Sequence, residues 1–210
     1  MAKKTRVEAL HTKEDILNAA ETLFLEKGVS HTSLHQIAVA ANVTRGAIYW
    51  HFKDKVDLLQ ALLDRAKHPF DEQTTLILND PHLLPEEKIL KIVSGIAYLL
   101  SSDARIRNAV QIITTKVELV GEFAIMHDTH MRHFKRLISL YTSLLEQEYK
   151  RRQLSPTKEQ INISAHAIYS ILSGLFHNWI LTSSALDFHK LSTHTIKTYL
   201  HGLWSSDSSL

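Results

Sequence analysis

Glycine and proline, the residues that most often interrupt helices, are scarce along this chain: six glycines and four prolines among 210 residues. Such scarcity indicates long helices joined by few tight turns. Apolar residues recur at helical spacing over most of the chain, and no strand-length stretch alternates apolar with polar residues. The sequence therefore predicts an all-α protein.

The composition excludes several kinds of site and protein. There are no cysteines, so disulfides, thiolate zinc sites and cysteine nucleophiles are excluded, and the chain fits a reducing, cytoplasmic compartment. No apolar run approaches the roughly 18 residues of a membrane helix. The basic N-terminus, residues 1–6, is not followed by an apolar stretch, so we expect neither a membrane span nor a signal peptide.

Bulk charge does not identify a partner for this chain. The formal net charge is +2, and residues 1–68 contain ten Lys/Arg against eight Asp/Glu. Neither residues 1–68 nor the rest of the chain is strongly basic. If the chain binds a nucleic acid, the binding must therefore depend on where individual cations lie.

Hydroxyl, carboxylate, amide and glycine residues mark the expected helix ends in the first seventy residues. Helix starts are predicted at Thr12, Ser33, Thr44 and Asp54, and helix ends at Gly28, Asn42, Phe52 and Pro69. Pro69 is expected to end or kink the fourth helix. Beyond residue 85 the pattern is one of long helices, with a proline at a first turn at Pro85 and a further helix start at Asp187.

The second and third of these helices form the most informative segment. They are short, they are joined by the turn Asn42-Val43-Thr44, and Ala38 is small where the two must approach each other. This is the spacing of a helix-turn-helix, in which the second helix enters the major groove of DNA. We therefore predict a three-helix DNA-binding head over residues 1–54, a connecting helix over 55–69 and a larger helical ligand-binding and dimerisation domain over 70–210.

The outward face of the third helix suits DNA. Arg45 lies at its start, where a guanidinium can bind guanine O6 and N7 together, and Gly46 allows a close approach to the bases. The hydroxyl of Thr44 can meet a phosphate, as can the cation of Lys55. Polar tips at backbone distance come from Tyr49, Trp50 and His51. For Trp50 the alternative is packing in the core, as is usual for a large aromatic residue.

The stretch from Val43 to Lys55 resembles the signature of the TetR family of regulators, in the wording of its AcrR-like branch, which represses multidrug efflux pumps. The resemblance is strong over residues 3 to about 65 and weak beyond. It implies base contacts from Arg45 and Gly46, with phosphate contacts from Thr44, Tyr49, His51 and Lys55. A further phosphate contact is implied at Thr32 or Ser33.

Two positions depart from the family pattern. Asn42 stands where the family often has glycine, and asparagine tolerates the same left-handed backbone. The triplet Lys116-Val117-Glu118 stands where the branch often has Lys-Cys-Glu, so pocket residues of the family do not transfer directly to this chain.

Polar groups set within the apolar helical stripes of the larger domain are candidates for a ligand pocket, which needs apolar walls and a few orienting hydrogen-bond groups. These are Asn108, Gln111, Thr114, Thr115, Glu118, Tyr141 and Tyr169. Glu118 is the candidate counter-charge for a cationic ligand. The alternative for each residue is helix surface or internally satisfied polar core.

The helix predicted over 157–182 is apolar on more than one face and must be buried on more than one face. One side can pack within its own domain and the other against a second subunit, with the final helix completing a four-helix interface. The predicted dimer contacts are Ile168, Leu172, Leu175, Trp179, Ile196 and Leu200. The alternative is the central helix of a monomer.

Together these features predict a homodimeric repressor, without a cofactor, that binds a palindromic operator and is released by a small apolar or cationic molecule. The helix over 55–68 would transmit the ligand signal. The alternatives are a metal-sensing regulator using His127, His130 and His133, a metabolite-sensing regulator of the same fold, and an all-α enzyme. No paired-carboxylate, Ser-His-Asp or phosphate-loop signature supports the enzyme.

Overall fold

The structure is a computed structural model that describes residues 6–118, 120–182 and 186–205. It is 84% helical and contains no strand in these ranges, which confirms the predicted all-α class. The sequence also favours a break between helices at residues 183–185, which lie outside the described residues. The helices are α1 (Arg6–Lys27), α2 (Leu34–Ala40), α3 (Arg45–His51), α4 (Lys55–Asn79), α5 (Pro85–Ser102), α6 (Ala104–Thr115), α7 (Ala124–Arg151), α8 (Lys158–Thr182) and α9 (Phe188–Ser205), with a 3-10 turn over Gly121–Phe123.

The chain forms two compact units. The first consists of residues 1–68 and 105–129, and the second of residues 69–104 and 130–210. Almost all of α6 therefore packs with the N-terminal helices, although α5 lies between them in the sequence.

In the first unit the helices begin and end close to the residues that the sequence indicates, except for the start of α1. Helix α1 begins at Arg6 and not at Thr12. Thr12 lies inside the helix, where its hydroxyl donates to the carbonyl of Glu8 at 2.8 Å and does not cap a helix start. Gly28 ends α1 with φ +82°, and Asn42 ends the turn after α2 with φ 52°. Both left-handed positions were predicted and are confirmed.

Helix α4 is longer than the sequence predicted. It starts where expected, since the side chain of Asp54 accepts a hydrogen bond of 2.8 Å from the Asp57 amide. It then runs through Pro69 to Asn79. Of the two predicted outcomes at Pro69, an end or a kink, the end is therefore wrong. A proline inside a helix removes one backbone donor, and neighbouring packing can offset that loss.

The core of the second unit is built around α9, which packs against α5 and α8. Ile89 and Val93 of α5 are fully buried, as are Ile196 and Leu200 of α9. The predicted start of α9 is confirmed, because the Asp187 carboxylate accepts a hydrogen bond of 3.1 Å from the amide of Lys190.

Candidate nucleic-acid interface

Helix α2 is started by a reciprocal pair of hydrogen bonds. The Ser33 hydroxyl accepts from the Gln36 amide at 3.2 Å, and the Ser33 amide donates to Oε1 of Gln36 at 2.8 Å. This capping box satisfies two backbone donors that the first turn would leave unpaired. The sequence prediction of this start is confirmed.

A tight turn then directs the chain into α3. The amide of Val43 donates to the carbonyl of Ala38 at 3.0 Å, across the left-handed residue Asn42. The Thr44 hydroxyl caps α3 by accepting from the Ala47 amide at 3.2 Å. The predicted helix-turn-helix is therefore present, with its second helix at Arg45–His51.

The two short helices are held by one apolar side each. Ile37 and Ala38 of α2 are buried, as are Ile48 of α3 and Phe52 directly after it. Burial of these residues fixes α2 against α3, and it leaves the opposite side of α3 facing outward.

That outward side carries the residues expected to meet DNA. Arg45, Gly46, Tyr49 and Trp50 are all exposed, Trp50 with 72% of its surface accessible. Packing of Trp50 in the core, the alternative, is therefore excluded within this chain. The Arg45 guanidinium lies 5.7 Å from the centroid of the Tyr49 ring, so a cation–π contact holds the arginine on the outer face of the helix. His51 is half-buried against Trp50.

Thr32 does not belong to this surface. Its side chain is 1% exposed, and its hydroxyl donates to the carbonyl of Gly28 at 2.8 Å. The hydroxyl therefore stabilises the loop after α1, and in this buried position Thr32 cannot contact a phosphate. Ser33 remains exposed, so of the two positions that the family resemblance implied, only Ser33 can reach a phosphate.

Lys55 is half-buried and has contacts within its own unit. Its ammonium lies 5.2 Å from the ring centroid of Phe123 and donates to the carbonyl of Ser30 at 3.4 Å. These contacts hold the Lys55 side chain against the first unit. Since an ammonium has three donors, the same group can also meet a phosphate.

The predicted ligand residues fall in two different units. Asn108, Gln111, Thr114, Thr115 and Glu118 lie in the first unit, on or just after α6. The hydroxyls of Thr114 and Thr115 donate to backbone carbonyls of their own helix, and Glu118 is exposed. The side-chain amide of Asn108 donates to Glu21 at 2.8 Å, so this amide is already hydrogen-bonded within the protein.

Tyr141 and Tyr169, the other two predicted ligand residues, lie in the second unit. Tyr141 is 1% exposed, and among the residues that the structure describes its hydroxyl has no hydrogen-bond partner. Burial raises the pKa of Tyr141, and the neighbouring Tyr169 phenol raises it further. Burial likewise raises the pKa of Tyr169, whose ring meets Phe134 edge to face, with 4.9 Å between centroids. Both hydroxyls therefore stay protonated and can donate.

The predicted dimer contacts face the interior of their own subunit. Ile168, Ile196 and Leu200 have no exposed surface and Leu172 has 8%. Leu175 and Trp179 are half-buried, with the Trp179 ring stacked on Phe188 at 5.1 Å. These four residues are therefore buried within their own subunit, and their role as dimer contacts stays a prediction. The side of α8 left exposed carries Ile163, Ser170, Gly174 and Leu181.

One important residue of the first unit was missed by the sequence reasoning. Glu21 lies on the apolar stripe of α1 between Leu17 and Phe24 and is 8% exposed. A carboxylate at such a position needs a buried partner, and that mismatch was the available signal. The partners, Arg65 and Asn108, are too distant in sequence to be identified by spacing.

Neither a metal centre nor a membrane helix is found in the ranges that the structure describes. No three His, Cys, Asp or Glu side chains among those residues are arranged to hold a metal ion. His127 contacts its neighbour Asp128, with 3.7 Å between Nδ1 and Oδ1. Within the same ranges no helix combines the length and the apolarity needed to cross a bilayer.

Two family models match this chain. Residues 16–62 match the model described as bacterial regulatory proteins of the tetR family. Residues 84–204 match the model for the C-terminal region of MAATS-type transcriptional repressors. The first match contains α2 and α3, and the second covers more than half of the chain.

Individual proteins are similar over nearly the whole length. The chain is 30% identical to the HTH-type transcriptional repressor BepR of Brucella suis, over 96% of each protein. It is 34% identical to the HTH-type transcriptional regulator AcrR of Shigella flexneri, over 90% of this chain and 88% of that protein. The crystal structure of NalD, described as the secondary repressor of the MexAB-OprM multidrug efflux pump of Pseudomonas aeruginosa, superimposes with a TM-score of 0.80 and 30% identity, covering 94% of this chain and 98% of NalD.

Proposed function

Because this chain belongs to the TetR family of bacterial regulatory proteins, with relatives that are transcriptional regulators and not enzymes, we propose that it is a ligand-responsive repressor of a multidrug efflux operon. The operon class is proposed because NalD is described as the repressor of such a pump. The protein acts in the cytoplasm, as a homodimer on a palindromic operator.

The exposed face of α3 is the observation that carries this proposal. Arg45 and Gly46 stand at the exposed start of the helix, while Ile48 anchors its other side. A helix presented in this way can enter the major groove with its first residues on the base edges and its aromatic residues near the backbone.

Selection of binding sites from random duplex DNA tests the proposal, because it requires no operator sequence at the start. We expect the full-length chain to enrich an inverted repeat, since a two-fold dimer presents two copies of α3 to the duplex. DNA from upstream of the chain's own gene should contain the same repeat and give a gel shift. Failure to enrich any sequence, or enrichment of a site without symmetry, would contradict the proposal.

The inducer is proposed to be a small, largely apolar molecule that bears a hydrogen-bond acceptor. The Tyr141 hydroxyl supports this assignment, since it is buried without a partner and its phenol remains a donor. An acceptor on the ligand would satisfy that hydroxyl, and binding would favour the conformation in which the contact is made. Glu118 is exposed, so no cationic group is assigned to it.

Tyr141→Phe is expected to stabilise the protein and weaken one ligand response. Removal of an unpaired buried hydroxyl should raise the free energy of unfolding by about 1 kcal/mol. Triclosan, a chlorinated diphenyl ether with one phenol group, is found in complex with a protein of the same fold. The triclosan concentration that releases half of the operator DNA should rise by about five-fold. Urea unfolding and a DNA-release titration measure the two effects.

The control for this variant is a second probe. Tetraphenylphosphonium has no hydrogen-bond acceptor, so its release concentration should be the same for the wild type and for Tyr141→Phe. An unchanged triclosan response in the variant would show that the hydroxyl does not meet the ligand. Failure of triclosan to release the wild type would count against the proposed ligand class.

The dimer is proposed to form through the exposed side of α8. Ile163 and Leu181 are about 60% exposed, at 59% and 63%, and Ser170 and Gly174 lie between them at helical spacing. Small residues in the middle of such a stripe allow two backbones to approach closely, while the apolar residues at its ends lose their contact with water.

Gly174→Arg is expected to weaken the dimer about ten-fold or more without destabilising the subunit. Apart from the backbone of its own helix, no described residue has an atom within 4 Å of the position that a Cβ would take at Gly174. Replacing a helical glycine also raises helix propensity. A two-fold interface would meet the arginine twice. Sedimentation velocity over a dilution series measures the dimer dissociation constant. Ser139→Arg, a matched change at an exposed position of α7, should leave it unaltered, and equal behaviour of the two variants would place the interface elsewhere.

A further inference from the structure

Glu21 connects three helices of the first unit. Glu21 is buried, with 10% of its side chain exposed. Oε2 accepts from Nη2 of Arg65 on α4 at 2.8 Å, and Oε1 accepts from Nδ2 of Asn108 on α6 at 2.8 Å. Each oxygen of one α1 residue therefore binds a different helix.

Arg65 makes the α4 side of this junction strong. Its Nη1 also donates to Glu14 and to Asn18, each at 2.9 Å. The three α1 acceptors lie at successive turns on one face of that helix, and a planar guanidinium binds such a row without changing its own conformation. Helix α4 is thus tied to α1 by charge-assisted hydrogen bonds, which are the stronger kind.

The α6 side is weaker at Glu21 but has a second attachment. The amide of Val29, just after α1, donates to the carbonyl of Lys116, just after α6, at 3.0 Å. Asn108 and Lys116 are eight residues apart, about 12 Å along a helix. Helix α6 is therefore attached to the DNA-binding head near both of its ends.

We propose that the Asn108–Glu21 hydrogen bond reports the position of α6 to the DNA-binding head, and that Asn108 is a positioning residue for DNA binding, not a ligand contact. This inference rests on the proposed function and adds to it a route of regulation. Asn108 supplies a single neutral donor, so its hydrogen bond to Glu21 is weaker than the charge-assisted bonds of Arg65. When α6 moves, the Asn108 bond is therefore the one that opens. Glu21 then keeps its bond to Arg65 but no longer ties α1, which packs on α2, to α6. The bond between Val29 and Lys116, just after these two helices, remains.

The test uses the full-length chain and the selected operator, with no ligand added. Asn108→Leu removes the donor at nearly constant volume, and Asn108→Asp sets a second carboxylate against Glu21. We expect operator affinity to fall about five-fold in the first variant and further in the second. The dependence of affinity on salt should not change, because no phosphate contact is lost.

A polarity exchange separates positioning from simple stability. In the double variant Glu21→Gln with Asn108→Asp, the new amide can donate to the new carboxylate while its oxygen still accepts from Arg65. We expect this double variant to bind the operator more tightly than Asn108→Asp alone, returning to within two-fold of the wild type. Asn18→Leu, the same kind of change at an exposed α1 partner of Arg65, should stay within two-fold.

Thermal melting of each variant confirms that folded protein is compared. Operator affinity within two-fold of the wild type in both Asn108 variants would overturn the inference while leaving the proposed function intact. A loss that the polarity exchange does not restore would also overturn it. A wild-type chain that selects no DNA would overturn the proposed function, and this inference with it.

Discussion

Replacing Arg45 by alanine is expected to cost about 1–3 kcal/mol of operator binding per half-site and to remove discrimination at one base pair. Arg45 is exposed in the first turn of α3 and packs against Tyr49 and not against the core. Alanine therefore leaves the helix intact while it removes the only long cationic side chain within Arg45–His51. A symmetrical dimer loses the contact twice, so the effect on a complete operator is correspondingly larger.

Two further variants separate base reading from charge. Arg45→Lys keeps the cation but loses the planar fork, so it should bind DNA in general while failing to discriminate at that base pair. Lys53→Ala removes an exposed cation just after α3 and should weaken operator and unrelated DNA equally. Titration of all three variants against the operator and its single-base substitutions gives the result. Unchanged operator affinity for Arg45→Ala would show that another residue reads the bases.

The head could be predicted from sequence because its signals are local. The capping box of Ser33 and Gln36 and the cap at Thr44 each act over three residues. Asn42 marks its own left-handed turn. Signals of this kind do not depend on how the rest of the chain packs.

The direction in which a side chain points was less predictable. Thr32 and Ser33 are neighbours of similar chemistry, yet one hydroxyl turns inward to Gly28 and the other stays exposed. On α8 the sequence shows two apolar sides but not which one the subunit uses. The buried side proved to be that of Ile168 and Leu172, on a helix that packs against α9. Tertiary packing decides such cases, and periodicity does not encode it.

Contacts between distant segments could not be predicted at all. Glu21 and Asn108 are 87 residues apart, and the pattern around Asn108 is equally typical of a pocket wall. The same holds for the association of residues 105–129 with the head. A single sequence shows that a buried carboxylate needs partners, but not which helix provides them.

A second buried carboxylate, Glu148, carries the largest expected effect on stability. Its side chain is 0% exposed, and it accepts hydrogen bonds from Nε of Arg151 at 2.9 Å and from Nε of Arg152 at 2.7 Å. Arg152 also pairs with Glu86 on α5 and lies 4.7 Å from the Trp204 ring centroid on α9. This cluster joins the end of α7 to α5 and α9.

The pKa of Glu148 gives the pH dependence of this cluster. Burial by itself would raise the pKa, but the hydrogen bonds and charges of Arg151 and Arg152 outweigh it and hold the pKa below its ordinary value. A carboxyl whose pKa is lowered by folding stabilises the protein above its unfolded pKa, about 4.3, and that contribution is lost as the pH falls through the lowered value.

Glu148→Gln is therefore expected to lower the free energy of unfolding by about 3 kcal/mol at pH 7. The low end of the range for buried pairs applies because the side chains of Arg151 and Arg152 are 41% and 30% exposed and keep part of their hydration. Below about pH 4 the wild type should lose the same contribution, so the difference between the two proteins should shrink.

Urea unfolding at pH 7 and in acid, at one fixed protomer concentration, measures both parts of this prediction. Glu146→Gln is the matched control, since it removes the same charge from an exposed position of α7 and should change stability by less than about 0.5 kcal/mol. If Glu148→Gln were as stable as this control at pH 7, the cluster would not hold the helices together. A difference that persisted undiminished in acid would mean that the effect comes from packing and not from the charge of the carboxylate.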